Sequence, residues 1–170
     1  MSEIKRLIEI AKKEEGYLEK KSNRSLDSKT ANAGNNNYTK YARDLDKIPG
    51  FYNGKKNGYP WCDVFVDWCF VQAFGVDRAK ELLLQPNKSL GAGCTYSKKY
   101  YKNNKQYHSK PKVGDQIFFK NAKGSIVHTG LVIDTDSKNV TTIEGNTSSE
   151  KGVVANGRVY KNDNSHGCHS

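Results

Sequence analysis

The sequence feature that most constrains the fold is one apolar segment, WCDVFVDWCFVQAFG, which follows Pro60 and ends at Gly75. Its β-branched residues would suit a strand. However, a run of about 13 residues without a break, bounded by a proline and a glycine, favours a buried helix. The sequence therefore predicts a central helix that other elements cover.

Helical spacing also occurs on both sides of this segment. Residues 2–15 have the apolar pattern of an amphipathic helix, and Gly16 is placed to end it. The polar stretch 22–36 is predicted as a loop, and a second helix is predicted from Asn37, as its N-cap, to Pro49. Two shorter helices follow the central one, at 77–84 with Asp77 as cap and at 95–103.

After Pro111 the pattern changes from helical to alternating. Four short segments, DQIFF, IVHTGLVID, NVTTIEGN and GVVANGRVY, are rich in β-branched or aromatic residues and are separated by turn-forming residues. Helices followed by strands indicate an α+β fold with an antiparallel sheet. We expect a single domain over residues 1–170, with a core at about 16–160 and a tail at 161–170.

The charge of the chain indicates an anionic partner. The net charge is +10 with a sequence pI of about 9.4. Nucleic acid, an anionic membrane surface and acidic cell-wall polymers all remain open on this criterion. The sequence has neither an apolar run of membrane-spanning length nor the apolar region of a secretory signal. Four cysteines in 170 residues are interpreted first as thiols rather than as a disulfide scaffold.

Cys62 is the first candidate for chemistry, because it lies in the first turn of the central helix. Backbone N–H groups at a helix start stabilise an anion, and a thiol there can ionise at a pKa of roughly 3.5 to 7.5 instead of about 8.5. Such a thiolate is a nucleophile at neutral pH. The alternative interpretation is a small core residue.

His128 is the second candidate, because the hairpin that carries it also carries an acid and an amide. If the turn between IVHTGLVID and NVTTIEGN centres at residues 136 and 137, antiparallel pairing places His128 opposite residue 145. Glu144 and Asn146 then flank the histidine. The alternative is a structural sheet histidine beside a solvated glutamate.

Together these residues form the nucleophile, base and orienting set of cysteine amidohydrolases. His128 would take the thiol proton, Cys62 would attack an amide carbonyl, and Glu144 or Asn146 would orient the imidazole. The backbone N–H of Cys62 is a candidate oxyanion donor. We therefore predict a catalytic set of Cys62, His128, Glu144 and Asn146.

Four motifs, in this order, resemble the CHAP domain, the cysteine, histidine-dependent amidohydrolases and peptidases: GYPWCDVFVDWC, PKVGDQIFF, HTGLV and TIEGNTS. The resemblance covers roughly residues 16–160. It implies a papain-like fold, with N-terminal helices packed on a C-terminal antiparallel sheet, and cleavage of amide or peptide bonds in bacterial peptidoglycan.

The resemblance also implies partners and a place of action. Peptidoglycan and anionic wall polymers are the expected partners of a monomer, with no nucleic acid, membrane or cofactor. The expected place of action is the bacterial cell wall, reached either by an endolysin released through a membrane pore or by a protein whose leader has been removed. The bond that is cut stays open between the muramoyl-L-alanine amide and a stem or cross-bridge peptide bond.

No metal is expected at the site. Some CHAP domains bind calcium through carboxylates before the cysteine, but here that loop reads NGKKNGYPWC and has no acid. Asp44 and Asp46 are expected to face solvent. A zinc site at His166, Cys168 and His169 is less favoured than a disordered tail.

Two other functions are weighed against the hydrolase. The first is a wall-binding domain of the same fold without catalysis. The second is nucleic-acid binding by lysines interleaved with Tyr96, Tyr100 and Tyr101, although no nucleic-acid-binding motif is present. Cys69 is assigned to the core.

Overall fold

Helix α3 (Cys62–Phe74) forms the centre of the core, as the apolar segment predicts. The structure is a computed structural model that describes residues 2–88, 91–147 and 158–163. In these residues the other helices are α1 (Glu3–Lys13), α2 (Lys40–Asp46), α4 (Val76–Leu82) and α5 (Cys94–Asn103). Nine of the 13 residues of α3 are buried, which explains why its sequence has no polar face.

The other helices follow the sequence closely, with two corrections at their starts. Helix α2 begins after Thr39, whose hydroxyl accepts a hydrogen bond from the Ala42 N–H at 3.2 Å. The predicted cap at Asn37 is therefore wrong, and Asn37 has a left-handed φ of 58° in the preceding loop. The predicted cap at Asp77 is also wrong, because α4 begins at Val76 after Gly75.

The strands β1 (Gln116–Lys120), β2 (Ile126–Thr135), β3 (Val140–Thr147) and β4 (Arg158–Asp163) form one antiparallel sheet in the order β1-β2-β3-β4. The predicted α+β class is confirmed. The segment GVVANGRVY enters β4 only from residue 158, and residues 152–157 lie outside the described residues.

The predicted register of the β2–β3 hairpin is off by one residue. Leu131 pairs with Ile143, whereas a turn centred at 136 and 137 would pair it with Thr142. An irregularity between Val132 and Asp134 shifts the ladder on the turn side. Turn length and bulges set the register of a hairpin, and neither is visible in alternating hydrophobicity.

An aromatic cluster joins the helices beneath the start of α3. The ring centroid of Tyr41 lies 4.8 Å from that of Tyr17, 5.5 Å from that of Trp61 and 5.0 Å from that of Trp68. Tyr17, Tyr41 and Trp61 have no exposed surface. The loop 22–36 leads from α1 to α2 over this cluster, and the Tyr17 hydroxyl donates to the Leu26 carbonyl at 2.7 Å.

Helix α3 and strand β3 approach each other closely at Gly145. A Cβ atom there would lie 2.5 Å from the Phe65 Cβ and 2.9 Å from the Trp61 ring. A glycine is therefore required for the sheet to pack directly on the first turns of α3. Across the described residues, none of the helices has the length and apolar character needed to cross a membrane.

We expect Gly145→Ala to lower the free energy of unfolding by roughly 1–3 kcal/mol, since the added methyl group overpacks the contact between β3 and α3. Urea unfolding measures this change. Gly54→Ala is the matched control, because a Cβ there meets no atom within 4 Å. Equal stability of the two variants would show that the contact at Gly145 is looser than described.

Candidate active site

Cys62 is the first residue of α3, and its position is fixed by the buried residue before it. The Trp61 indole Nε1 donates to the Glu19 carboxylate at 2.9 Å, and the Trp61 ring stacks on Tyr41. Cys62 itself is half-buried. The fully buried Trp61 therefore anchors the chain, and the next side chain, that of Cys62, lies at the edge of the core.

His128 contacts Glu144 across the hairpin. The His128 Nε2 lies 2.8 Å from a Glu144 carboxylate oxygen, with side-chain exposures of 20% and 4%. Glu144 also accepts hydrogen bonds from the hydroxyls of Thr142 at 2.6 Å and Thr147 at 3.1 Å. The carboxylate is therefore held from both sides, and the Nδ1 of His128 is the ring nitrogen left for other chemistry.

Gly130 makes room for this contact. Leu131 pairs with Ile143, so the residue before it on β2, Gly130, faces Glu144. A Cβ atom at Gly130 would lie 2.6 Å from the Glu144 Cγ. The side chain of Glu144 therefore crosses over Gly130 to reach His128, two residues further along the same face. The glycine of the HTG motif has a steric role at this point.

The local environment keeps Glu144 ionised. Burial raises the pKa of the Glu144 carboxyl, but the hydrogen bond and charge of His128, with the two threonine hydroxyls, outweigh burial and hold the pKa below its usual value. The ring of Phe119 covers the imidazole, with centroids 5.6 Å apart. The arrangement fixes the orientation of His128.

Asn146 has a different setting from Glu144. Its backbone is left-handed, with a φ of 53°, and it is half-buried. In the described part of the chain, the side chain that contacts the His128 ring by a hydrogen bond is that of Glu144. Of the two orienting residues that the sequence allows, the geometry favours Glu144.

Cys94, which the sequence reasoning missed, lies beside Cys62. The two thiols are hydrogen-bonded, and both are half-buried. Cys94 is the first residue of α5, so two helix starts each contribute a sulfur to one place. The available signal was the glycine-rich segment GAGC before a helical pattern, which repeats the placement of Cys62 after a turn.

The thiol pair corrects the prediction that Cys62 alone ionises easily. The hydrogen bond to Cys94, burial and the charge of Asp63 raise the pKa of Cys62. The same hydrogen bond lowers the pKa of Cys94 to about 7, and the charge of His128 contributes in the same direction. The first ionisation therefore belongs to the pair, and one negative charge is shared by two sulfurs.

A buried polar network links the elements that carry the candidates. The Asp63 carboxylate accepts from the Gly93 N–H and the Ser97 hydroxyl, both at 2.9 Å, and from the Gln116 side-chain amide at 2.8 Å. The same Gln116 amide donates to the Thr129 hydroxyl at 3.0 Å. Asp63 follows Cys62 and Thr129 follows His128, so the network ties the thiol pair to the histidine strand.

The loop before Cys62 does not fit a calcium site. The two Asp46 oxygens accept from the backbone N–H groups of Lys56 and Asn57 at 2.7 and 3.0 Å, and Asp44 accepts from the Trp68 indole at 3.1 Å. The expectation that these acids face solvent is wrong, since both are half-buried and hold the loop and core. Within residues 2–88, 91–147 and 158–163, no three His, Cys, Asp or Glu side chains are arranged to hold a metal.

Two other sequence expectations concern surfaces away from the site. Tyr100 is 8% exposed, and the Tyr101 hydroxyl donates to Gln116 at 3.2 Å. Tyr100 and Tyr101 therefore pack inward, whereas Tyr96 is 46% exposed, so the three rings do not form one continuous exposed surface. The tail residues His166, Cys168 and His169 lie outside the described residues.

Exchanging Gln116 for Glu tests the network. A second carboxylate placed 2.8 Å from Asp63 would repel it, so we expect a loss of roughly 1–3 kcal/mol of unfolding free energy at neutral pH. The loss should shrink in acid as one carboxyl becomes protonated. Urea unfolding as a function of pH measures this, with the exposed Gln106→Glu as control. A constant difference at all pH values would contradict the proximity of the two groups.

The alkylation rate of the thiol pair should rise with pH around a midpoint of about 7. Cys94→Ala should move the midpoint upward, because the remaining Cys62 thiol loses its sulfur partner while burial and Asp63 still disfavour its charge. Iodoacetamide kinetics in a Cys168→Ser background measure both values. Cys69 is fully buried and serves as an unreactive internal control. An unchanged midpoint in Cys94→Ala would show that the two thiols titrate independently.

Comparison with known proteins identifies the family of this chain. The CHAP domain family model matches residues 54–146, a span that includes both thiols, the network and the hairpin. Searches of curated proteins and of solved structures return no match. Because the family model covers more than half of the 170 residues, the chain belongs to the CHAP domain family.

Proposed function

We propose that this protein is a peptidoglycan hydrolase that cleaves an amide or peptide bond of the bacterial cell wall by cysteine nucleophilic catalysis. CHAP domains are generally amidases or peptidases, which supports a hydrolase. The observation that carries the proposal is the 2.8 Å contact between His128 and the buried Glu144, on a strand tied to the two thiols.

Each residue has a chemical role in the proposed reaction. His128 takes a proton from the thiol pair, and the Cys62 sulfur attacks the carbonyl carbon of the bond to be cut. His128 then gives its proton to the leaving amine, which leaves a thioester on Cys62. Water attacks this thioester with His128 as base, releasing the carboxylate product and the thiol. Glu144 keeps the imidazole oriented and stabilises its charged form.

Cys62 is favoured over Cys94 as the nucleophile because it is the cysteine of the GYPWC motif that resembles the CHAP domain. Its position is also fixed by the buried Trp61 before it, whose indole donates to Glu19 at 2.9 Å. A rigid attacking group keeps the reaction geometry. The first intrahelical hydrogen bond of α3 runs from Phe65 to Trp61. The N–H of Cys62 lies before that bond, so it suits the oxyanion of the tetrahedral intermediate.

The surroundings of the site fit a large polymeric substrate. Tyr59 is 62% exposed three residues before Cys62, and Tyr96 is 46% exposed two residues after Cys94. Exposed aromatic side chains close in the chain to the two thiols support a binding surface at the site. The net charge of +10 favours acidic wall polymers as the accompanying partner.

We expect Cys62→Ala to reduce the clearing of purified Gram-positive walls by at least ~10³-fold, since removal of the nucleophile leaves only binding and electrostatic effects. Turbidity measures clearing, and co-sedimentation with walls measures binding. Cys69→Ala, which removes a buried core sulfur, is the matched control and should keep wild-type clearing.

Three results would change the assignment. Full clearing by Cys62→Ala together with loss in Cys94→Ala would make Cys94 the nucleophile. Sedimentation without clearing in the wild type would indicate a wall-binding domain. Salt-dependent retention of DNA without clearing would indicate nucleic-acid binding. Mass spectrometry of the released fragments would distinguish cleavage at the muramoyl-L-alanine amide from cleavage in the stem or cross-bridge.

A further inference from the structure

The second thiol at the site has a consequence beyond hydrolysis. A side-chain hydrogen bond couples Cys62 and Cys94, and both residues are half-buried at the starts of α3 and α5. In contrast, the third described cysteine, Cys69, is fully buried. Hydrolysis needs a single nucleophilic sulfur, so it does not account for a second half-buried thiol beside the first.

The contact between the sulfurs is built into the fold. Asp63 and Gly93, the immediate neighbours of the two cysteines, are joined by a 2.9 Å hydrogen bond from the Gly93 N–H to the Asp63 carboxylate. Ser97, in the first turn of α5, donates to the same carboxylate oxygen at 2.9 Å. The starts of α3 and α5 are thus held together by buried polar contacts that do not involve the sulfurs.

We propose that Cys62 and Cys94 are a reversible oxidation site, at which hydrogen peroxide converts the two thiols into a disulfide and a small dithiol restores them. The effect on hydrolysis rests on the function proposed above. The formation of the disulfide does not depend on that function.

The chemistry balances in two steps. The thiolate of the pair attacks peroxide, so an S–O bond forms, the O–O bond breaks and, after protonation, one water leaves with a sulfenic acid on the first sulfur. The second sulfur then attacks the sulfenic sulfur. An S–S bond forms, the S–O bond breaks, and the hydroxyl leaves with the second thiol proton as another water. Two thiols are oxidised and one peroxide is reduced.

The second thiol decides whether oxidation is reversible. A sulfenic acid without a neighbouring thiol reacts with further peroxide to sulfinic acid, which thiols do not reduce. A neighbouring thiol traps the sulfenic acid as a disulfide, and thiol exchange reverses that disulfide. In the disulfide state neither sulfur is a nucleophile. Oxidation would therefore switch off the hydrolase without destroying it.

The experiment uses the full chain with Cys168→Ser, so that the thiols of the described residues are the ones followed. The protein is treated with hydrogen peroxide and digested, and the peptides are analysed by mass spectrometry. We expect a Cys62–Cys94 linked peptide and an intact mass lower by two hydrogen atoms. Wall clearing should fall at least about tenfold and return after dithiothreitol.

Two further variants serve as comparisons. In Cys94→Ala, peroxide should add oxygen atoms to Cys62 instead of removing hydrogen. The wall clearing that this variant shows before treatment should be lost, and dithiothreitol should not restore it. Cys69→Ala should behave like the parent. If Cys94→Ala does not fold by circular dichroism, peptide mapping of the parent decides the question alone.

The outcomes separate this inference from the proposed function. A linked peptide in a protein that never clears walls supports the oxidation site and overturns the hydrolase. Clearing without a linked peptide, with oxygen added to Cys62, overturns the oxidation site and leaves the hydrolase standing. A disulfide that leaves clearing unchanged overturns the switch.

Discussion

The arrangement of the site depends on one buried charge, the carboxylate of Asp63. Burial raises its pKa, and hydrogen bonds from Ser97, Gln116 and Gly93 act in the opposite direction. An ionised carboxylate without partners costs several kcal/mol in a protein interior. Satisfying Asp63 therefore draws α5 and β1 to the start of α3. Cys62, Cys94 and the strand of His128 come together as a result.

The pKa of a second carboxylate, Glu144, is shifted in the opposite direction from that of Asp63. The pKa of Glu144 lies below its usual value, because His128 and two threonine hydroxyls outweigh burial. Glu144 therefore carries charge at the imidazole, while Asp63 serves as a structural hydrogen-bond acceptor beside the thiols. Charge on Asp63 also raises the pKa of Cys62. Ionisation of the thiol pair is therefore governed by the hydrogen bond between Cys62 and Cys94, by burial and by nearby charges, and not by the helix start alone.

The elements of the fold could be predicted from local pattern, because burial of α3 and the alternation of β1 to β3 leave clear periodicities. The α+β class and the CHAP family follow from the same motifs. The hairpin could be predicted to unite His128 with Glu144, although its register is off by one. A shift near Val132 is a backbone irregularity that hydrophobic alternation does not encode.

Sequence by itself determined which residue types stand at helix starts and on neighbouring strands, since those depend on contacts close along the chain. The tertiary structure alone decided that Cys94 touches Cys62, that Gln116 joins Asp63 to Thr129, and that Gly130 gives Glu144 room. The residues in these pairs are 13 to 53 positions apart in the chain, and the contact at Gly130 also depends on the absence of a Cβ atom. Such contacts arise only when packing of α3 against α5 and the sheet fixes all three elements at once.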